Sequence, residues 1–357
     1  MVAAFSHATV HMLLRDRRLG REVPPELAQA VPDHLSAFMA VEAHSMLELE
    51  PPRHTRLRKL VMRAFTSRAI ADLEPQIAEL SHRLIDRFPD GPFDLLPAFC
   101  TEIPVIVICR LLGVPEDISP KLLDWSHRMV AMYQASRTQE TEDDASLAAQ
   151  EFSDFLRNYI DARRKAPRED LITRLIAAEE EGEKLSTDEL LTTCILLLNA
   201  GHEATVHALG NGIKTILEHG TEQAWLAPKA IEKTVEEILR FDPPLHMFTR
   251  YAYEVVEVQG HTFKRGDQVA LLLAAANRDP ALTEDPETFD PTRLAKTNTS
   301  FGGGLHFCVG APLARLEMQV ALPILFSRCP NLCLTEAPEY SNTYHFHGLT
   351  RLMVSTS

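Results

Sequence analysis

The stretch that most restricts this chain is Phe301-Gly-Gly-Gly-Leu-His-Phe-Cys-Val-Gly310, which runs directly into Ala-Pro-Leu-Ala-Arg-Leu-Glu317. Glycines accept positive φ and let backbone amides approach a neighbouring atom, because no side chain intervenes. The start of the helix read from Ala311 onward adds partial positive charge. Such a loop can hold Cys308 as a thiolate aimed at a metal. One thiolate on one iron is a way of binding haem for oxygen activation. A cysteine taken alone is more often inert packing; the glycines, His306 and the following amphipathic helix shift the balance toward a ligand.

Bulk properties narrow the alternatives. The chain has 357 residues, and 45% of them are hydrophobic, enough for a sizeable core. A length of this size fits one large domain, here read as residues 1–357. The formal net charge of −14 argues against general binding to nucleic acid or to an anionic membrane. The six cysteines, at 100, 109, 194, 308, 329 and 333, are scattered. They form no disulfide-like array, and the Cys329/Cys333 spacing lacks a second pair of ligands for zinc. The expectation is a reduced, intracellular, cytoplasmic protein. The longest apolar run, Val269 to Ala276, is far short of the ~20 residues of a membrane helix, and no signal peptide is evident.

Most of the chain has helical periodicity. It spans 55–88 with an interruption near Thr66-Ser67, then 94–113, 119–135 and 146–164. The acidic stretch Glu140 to Asp144 is expected to break the pattern, and Arg163-Arg164-Lys165 to end a helix. Glu179-Glu180-Glu181-Gly182 reads as a solvated loop. Ser186 and Glu189 form a capping-box pattern, opening a helix to about Glu218, ~50 Å long at ~1.5 Å per residue. Strand signals are sparse: a hairpin over 254–263, the run Gln268 to Leu273, and residues 332–356. The fold is mainly α with small β-sheets.

Several motifs carry chemistry together. The cysteine segment has every fixed position of Phe-x-x-Gly-x-His-x-Cys-x-Gly, the haem-binding signature of the cytochrome P450 family, and the chain resembles that family across nearly its whole length. Glu237-Ile-Leu-Arg240 matches the family's Glu-x-x-Arg pair; residues three apart share a helical face, so the charges can meet. Arg293, in Phe289-Asp-Pro-Thr-Arg293, resembles the third member. His54-Thr-Arg-Leu-Arg58 resembles a His-x-x-x-Arg pattern whose two donors suit a propionate carboxylate. Arg250 and His306 resemble further propionate partners. Each alone is an ordinary surface cation. Ala276-Asn-Arg-Asp-Pro280 and Leu111-Leu-Gly-Val-Pro115 extend the match. Met1 to Glu22 resembles a segment that relatives reach only after several tens of residues. The resemblance thus implies the cytochrome P450 fold without its usual N-terminal segment.

The long helix carries Asn199-Ala-Gly-His-Glu-Ala-Thr205, similar to the family's oxygen-activating Ala-Gly-x-Glu/Asp-Thr-Thr. A glycine at 201 costs ~1 kcal/mol relative to alanine in a helix interior. Packing against another helix is one reason for it; close approach of haem, with Ala200 and Phe301 also at the cofactor, is the other. In the family an acid and the next residue's alcohol organise water and deliver protons. Glu203 matches the acid, but the alcohol position is Ala204, and Thr205 lies ~100° further round the helix. Either Thr205, a water or a substrate hydroxyl replaces the alcohol, or reduced oxygen leaks away as peroxide. Substrate-assisted delivery is the preferred expectation.

The resemblance implies haem b held by the Cys308 thiolate, and a monooxygenase that hydroxylates or epoxidises a medium-sized organic substrate. Electrons would come from a ferredoxin or flavodoxin docking on a local basic face, with Arg315 and the surroundings of Arg63 as candidates. Substrate preference is expected in 32–50, 128–146, 244–249 and 342–349, including Met39, Met46, Met247, Phe248, Tyr344 and Phe346. Two alternatives remain: coupling, dehydration or peroxide-driven chemistry on the same cofactor, and a non-catalytic haem or ligand-binding protein. Peroxide-using relatives tend to carry a basic residue where Glu203 stands, which argues against that branch.

Overall fold

A computed structural model of the chain describes residues 1–134, 137–180, 182–294, 296–342 and 346–357, with backbone alone at 179 and 180. It is mainly helical with small sheets. Helix Thr187–Glu218 is the central element. Its first turn is closed by the capping box read from the sequence: Glu189 N–H donates to Ser186 Oγ at 3.2 Å, and Ser186 N–H donates to Glu189 Oε2 at 2.9 Å. Apolar residues surround much of its length, so it is buried rather than lying on the surface. It packs against helices Glu102–Leu112, Gln139–Lys165, Ile231–Phe241 and Ala311–Arg328. Gly210 and Gly212 allow that packing. A Cβ at Gly210 would come within 2.8 Å of Leu96, and one at Gly212 within 3.0 Å of Ile238.

The helical stretch 55–88 divides as expected, into Arg53–Ala64, Ser67–Ala71 and Glu74–Ile85. Thr66 breaks it by capping the second piece, accepting from Ala69 N–H. Two expectations are corrected. The acids Glu140 to Asp144 do not break a helix; they lie in the opening turns of Gln139–Lys165, behind a Thr138 cap. Acidic side chains are favourable at that end because the helix dipole presents partial positive charge there. The expected loop at 179–182 is replaced by a small hairpin pairing Glu179–Glu180 with Glu183–Lys184; Glu181 lies outside the described residues.

The largest sheet has four strands, ordered Val2–Ala4, Gln268–Leu272, Met247–Ala252, Leu19–Gly20. The first pair is parallel and the others antiparallel. In Met247–Ala252, residues two apart share a face, so Phe248 and Arg250 project together, and the Arg250 guanidinium lies 5.7 Å from the Phe248 ring. A small apolar cluster, including Val10, Leu13, Ala252, Val269 and Leu271, backs this sheet. The larger core lies among the helices, around residues such as Phe99, Trp125, Phe152, Leu209 and Leu322. No described helix is long and apolar enough to cross a membrane.

Candidate active site

The cysteine loop is built by its glycines. Gly304 has φ +65°, and a Cβ there would lie 2.5 Å from the backbone oxygen of Leu14. Any other residue combines left-handed strain with a backbone clash. The loop then turns so that Cys308 N–H donates to Phe301 O at 3.1 Å. The Cys308 sulfur receives the backbone N–H groups of Gly310 and Ala311, at the entry to helix Ala311–Arg328. Burial pushes the thiol above its ordinary value, against these N–H groups and the charges of Arg58 and Arg315. These N–H groups and charges all favour the thiolate, against the cost of burial. Phe301 is half-buried, with the Arg315 guanidinium 4.5 Å from its ring.

Behind the loop stands the expected charge cluster. Glu237 accepts from Arg240 Nε at 2.7 Å, Arg240 Nη2 at 2.8 Å and Arg293 Nε at 3.0 Å. Arg240 also reaches Pro286 O at 2.9 Å and Thr288 O at 3.1 Å, and Arg293 reaches Thr288 O at 2.7 Å. Both arginines thus tie the segment 284–293 to helix Ile231–Phe241. That segment leads into the cysteine loop, whose entry is pinned in turn: Ser300 Oγ donates to Leu239 O at 2.6 Å, and Thr299 N–H to Asn277 Oδ1 at 2.7 Å.

On the opposite side of the loop, basic groups gather from separate parts of the chain. Arg58 Nη2 donates to Phe307 O at 2.7 Å, beside the cysteine. His54 is buried, its ring 4.5 Å from that of His306, and its Nδ1 has no hydrogen-bond partner. Burial and the neighbouring His306 and Arg58 push His54 down to about 4, so it is neutral at pH 7. Arg250 is 3% exposed. It donates to Thr249 O at 2.8 Å but makes no carboxylate ion pair among the described residues, and burial and Arg21 lower its value to about 10. His306 Nε2 lies 2.9 Å from Glu50 Oε1. An orphaned imidazole and a buried, unpaired guanidinium fit an anionic group placed between them. A haem carrying propionates meets that requirement.

Sequence reasoning missed two members of this cluster. Glu50 lies four residues before His54, and that spacing was a usable signal. Arg21 comes from the N-terminal part, pairs with Glu48 at 2.7 Å and faces Phe248 at 5.8 Å; nothing local marks it. Arg315, a candidate for partner docking, donates to Glu236 at 3.2 Å as well as covering Phe301.

The expected oxygen-side residues lie on helix Thr187–Glu218. Ala200 is exposed and Gly201 half-buried. A Cβ at Gly201 would meet only Ile108, at 3.8 Å, an ordinary contact. Helix packing, which explains Gly210 and Gly212, does not explain Gly201. Thr205 Oγ1 donates to Gly201 O at 3.1 Å, a bond to its own helix backbone. Glu203 is buried among three histidines that the sequence reading did not assign to it. His127 Nε2 lies at 3.2 Å and His202 Nε2 at 3.3 Å from Oε1, and His207 Nε2 at 3.8 Å from Oε2. Burial pushes its carboxyl up, but His202, His127 and His207 bring it below the ordinary value.

Of the residues expected to set substrate preference, Met46 is in the main core and Met39 packs against it. Phe248 packs under Gly302, where a Cβ would lie 3.1 Å from its ring. It therefore supports the loop. Phe346 stacks at 5.5 Å from His207; Tyr344 lies outside the described residues.

Comparison with known proteins agrees with this geometry. The family model described as "Cytochrome P450" matches residues 116–226 and 229–343. The "Polyketide biosynthesis cytochrome P450 PksS" of Bacillus subtilis (strain 168) is 37% identical over 353 residues, covering 96% of this chain and 86% of that protein. The "Vitamin D(3) 25-hydroxylase" of Pseudonocardia autotrophica is 38% identical, covering 98% and 86%. A solved structure of P450BioI, in complex with an acyl carrier protein carrying hexadec-9Z-enoic acid, superposes with a TM-score of 0.93 at 32% identity, covering 99% and 91%. The chain belongs to the cytochrome P450 family. It is a monooxygenase whose cofactor is haem, and its substrates are small organic molecules.

Proposed function

We propose that the Cys308 sulfur would hold the haem iron, and that His54, Arg58, Arg250 and His306 would receive its propionates. The observation that carries this reading is the Cys308 sulfur, set against the N–H groups of Gly310 and Ala311 in a loop that only glycines can form. When bound, the haem would supply activation of molecular oxygen, one oxygen atom entering a carbon–hydrogen bond or a carbon–carbon double bond and the other leaving as water with two electrons and two protons. The residues around it position, desolvate and move protons. Phe301 and Arg315 cover the sulfur side, and the Glu237–Arg240–Arg293 cluster fixes the loop behind.

On the other side, Glu203 takes protons from solvent through His127, which is exposed where Glu203 is buried. Transfer runs from His127 Nε2 to Glu203 Oε1 across 3.2 Å. Beyond Glu203 an alcohol is missing: position 204 is alanine, and Thr205 spends its hydroxyl on Gly201 O. A substrate hydroxyl, or a water held by it, completes the path. The substrate is accordingly a medium-sized, partly apolar molecule bearing a hydroxyl near the oxidised carbon. Relatives acting in polyketide biosynthesis and on vitamin D(3) support that class.

Electrons come from an acidic ferredoxin or flavodoxin docking over the cysteine loop. Phe307, exposed in the cysteine loop, and Arg63, at the surface of helix Arg53–Ala64, support that face. The protein acts in the cytoplasm as one domain, a setting that its six free cysteines suit.

The test is the reduced, carbon monoxide-bound absorption spectrum. Wild type shows the red-shifted band of thiolate-bound iron, and Cys308→Ala loses it while keeping a native far-UV spectrum. A folded Cys308→Ala protein that retains the band refutes the assignment.

A further inference from the structure

Glu203 and His202 present a contradiction that a cation would resolve. His202 Nδ1 lies 2.7 Å from the backbone oxygen of Leu198. A carbonyl only accepts, so Nδ1 carries a ring hydrogen and Nε2 is the atom turned toward Glu203. His202 Nε2 lies 3.3 Å from Glu203 Oε1. His202 is 2% exposed and Glu203 7%. Neither His202 Nε2 nor Glu203 Oε1 has a hydrogen-bond partner. Two buried, unpartnered polar atoms at this separation call for a positive charge between them, a proton or a metal ion.

A third donor reaches the same place from another helix. His127, on helix Ser119–Val130, puts Nε2 3.2 Å from Glu203 Oε1. The three donor atoms all lie within 4.8 Å of one another. A tetrahedral ion with bonds of ~2.0–2.1 Å to nitrogen and oxygen separates its ligands by about 3.4 Å. Two of the three edges already have nearly that length. The Nδ1–H of His202 bound to a backbone oxygen is also the outer contact that orients a metal-binding imidazole.

We propose that His127, His202 and Glu203 form a site for a divalent transition metal of the zinc class. Two imidazoles and one carboxylate supply three ligands, and the exposed side of His127 leaves a fourth position for water. The ion would join helix Ser119–Val130 to helix Thr187–Glu218 and engage the carboxylate. One consequence rests on the proton-delivery role given to Glu203 above. With its carboxylate on the metal, and His127 no longer able to relay, zinc would lower the product formed per electron consumed.

The experiment is calorimetric titration of the haem-loaded enzyme with zinc chloride in a non-coordinating buffer. One zinc per chain is expected, with the dissociation constant raised at least tenfold in His127→Gln and in Glu203→Gln. His127 is on the surface, so its replacement leaves the carbon monoxide band as a check on folding. Absence of a 1:1 event up to millimolar zinc overturns the site, and so does unchanged affinity in His127→Gln. So too does a 1:1 event lost in His246→Ala instead, since Asp242, His246 and His347 also lie close enough to hold an ion. Zinc that binds through His127 yet leaves product per electron unchanged supports the site and overturns the proton role of Glu203. If zinc fails to bind, that role is judged separately, by whether Glu203→Gln uncouples turnover.

Discussion

Replacing Glu237 by glutamine tests how the fold holds the cysteine loop. The Glu237 carboxylate is 4% exposed and receives two bonds from Arg240, one from Arg293 and one from Asp290 N–H, at 2.7 to 3.0 Å. Glutamine keeps the shape but removes the charge and turns one acceptor into a donor facing donors. Arg240, 6% exposed, is left without its counter-charge. Breaking a buried pair in this way costs about 3–5 kcal/mol, a large share of a typical total of about 5–15 kcal/mol. With an unfolding entropy of ~2.1 cal/mol/K per residue, the 357 residues give ~0.75 kcal/mol/K. A loss of ~4 kcal/mol thus lowers Tm by about 5 °C. Because the arginines tie 284–293 in place, haem retention should fall along with Tm. The assay is thermal melting by far-UV circular dichroism, with the carbon monoxide band measured per mole of protein. A Glu237→Gln protein melting within about 1 °C of wild type and binding full haem refutes the claim that this cluster holds the loop.

Other outcomes follow from single residues. Gly304→Ala forces left-handed φ on a residue with a Cβ, costing about 1–2 kcal/mol before the 2.5 Å clash with Leu14 O is counted; haem content of the purified protein should drop, while Gly220→Ala, with open space around it, should not change haem content. Ala204→Thr should alter the ratio of product to peroxide, measured as product against reductant consumed, and unchanged coupling in both Ala204→Thr and Thr205→Ala removes any role for this turn of the helix. Burial, with His347 and Arg278 nearby, lowers His246 to about 4. Between pH ~6.5 and about 4 the unfolded chain therefore binds the proton first, and stability falls as pH falls. His246→Gln should flatten the decline of Tm over that interval, and an unchanged slope would show that His246 does not contribute to it.

The cysteine loop, the Glu237–Arg240 pair and the capped helix Thr187–Glu218 were legible because each is local: glycines, a three-residue spacing and a four-residue box fix their own geometry. The acids at 140–144 were misjudged for the opposite reason. Charge alone looks like a solvated break, and only the Thr138 cap and the helix packed beneath show it to be a helix start. Phe248 was expected at the substrate; strand alternation gave its face but not that Gly302 of the cysteine loop lies against it.

The sequence determined the cysteine loop, the family and with it the cofactor, and the departure at Ala204, because these depend on residue type within a short window. Tertiary structure decided which distant groups share an environment. It brought Glu50 to His306, Arg21 to Phe248, and His127 from a separate helix to Glu203. Those contacts are set by how helices and sheet pack around a common core, and packing partners leave no periodic mark in the segments they join.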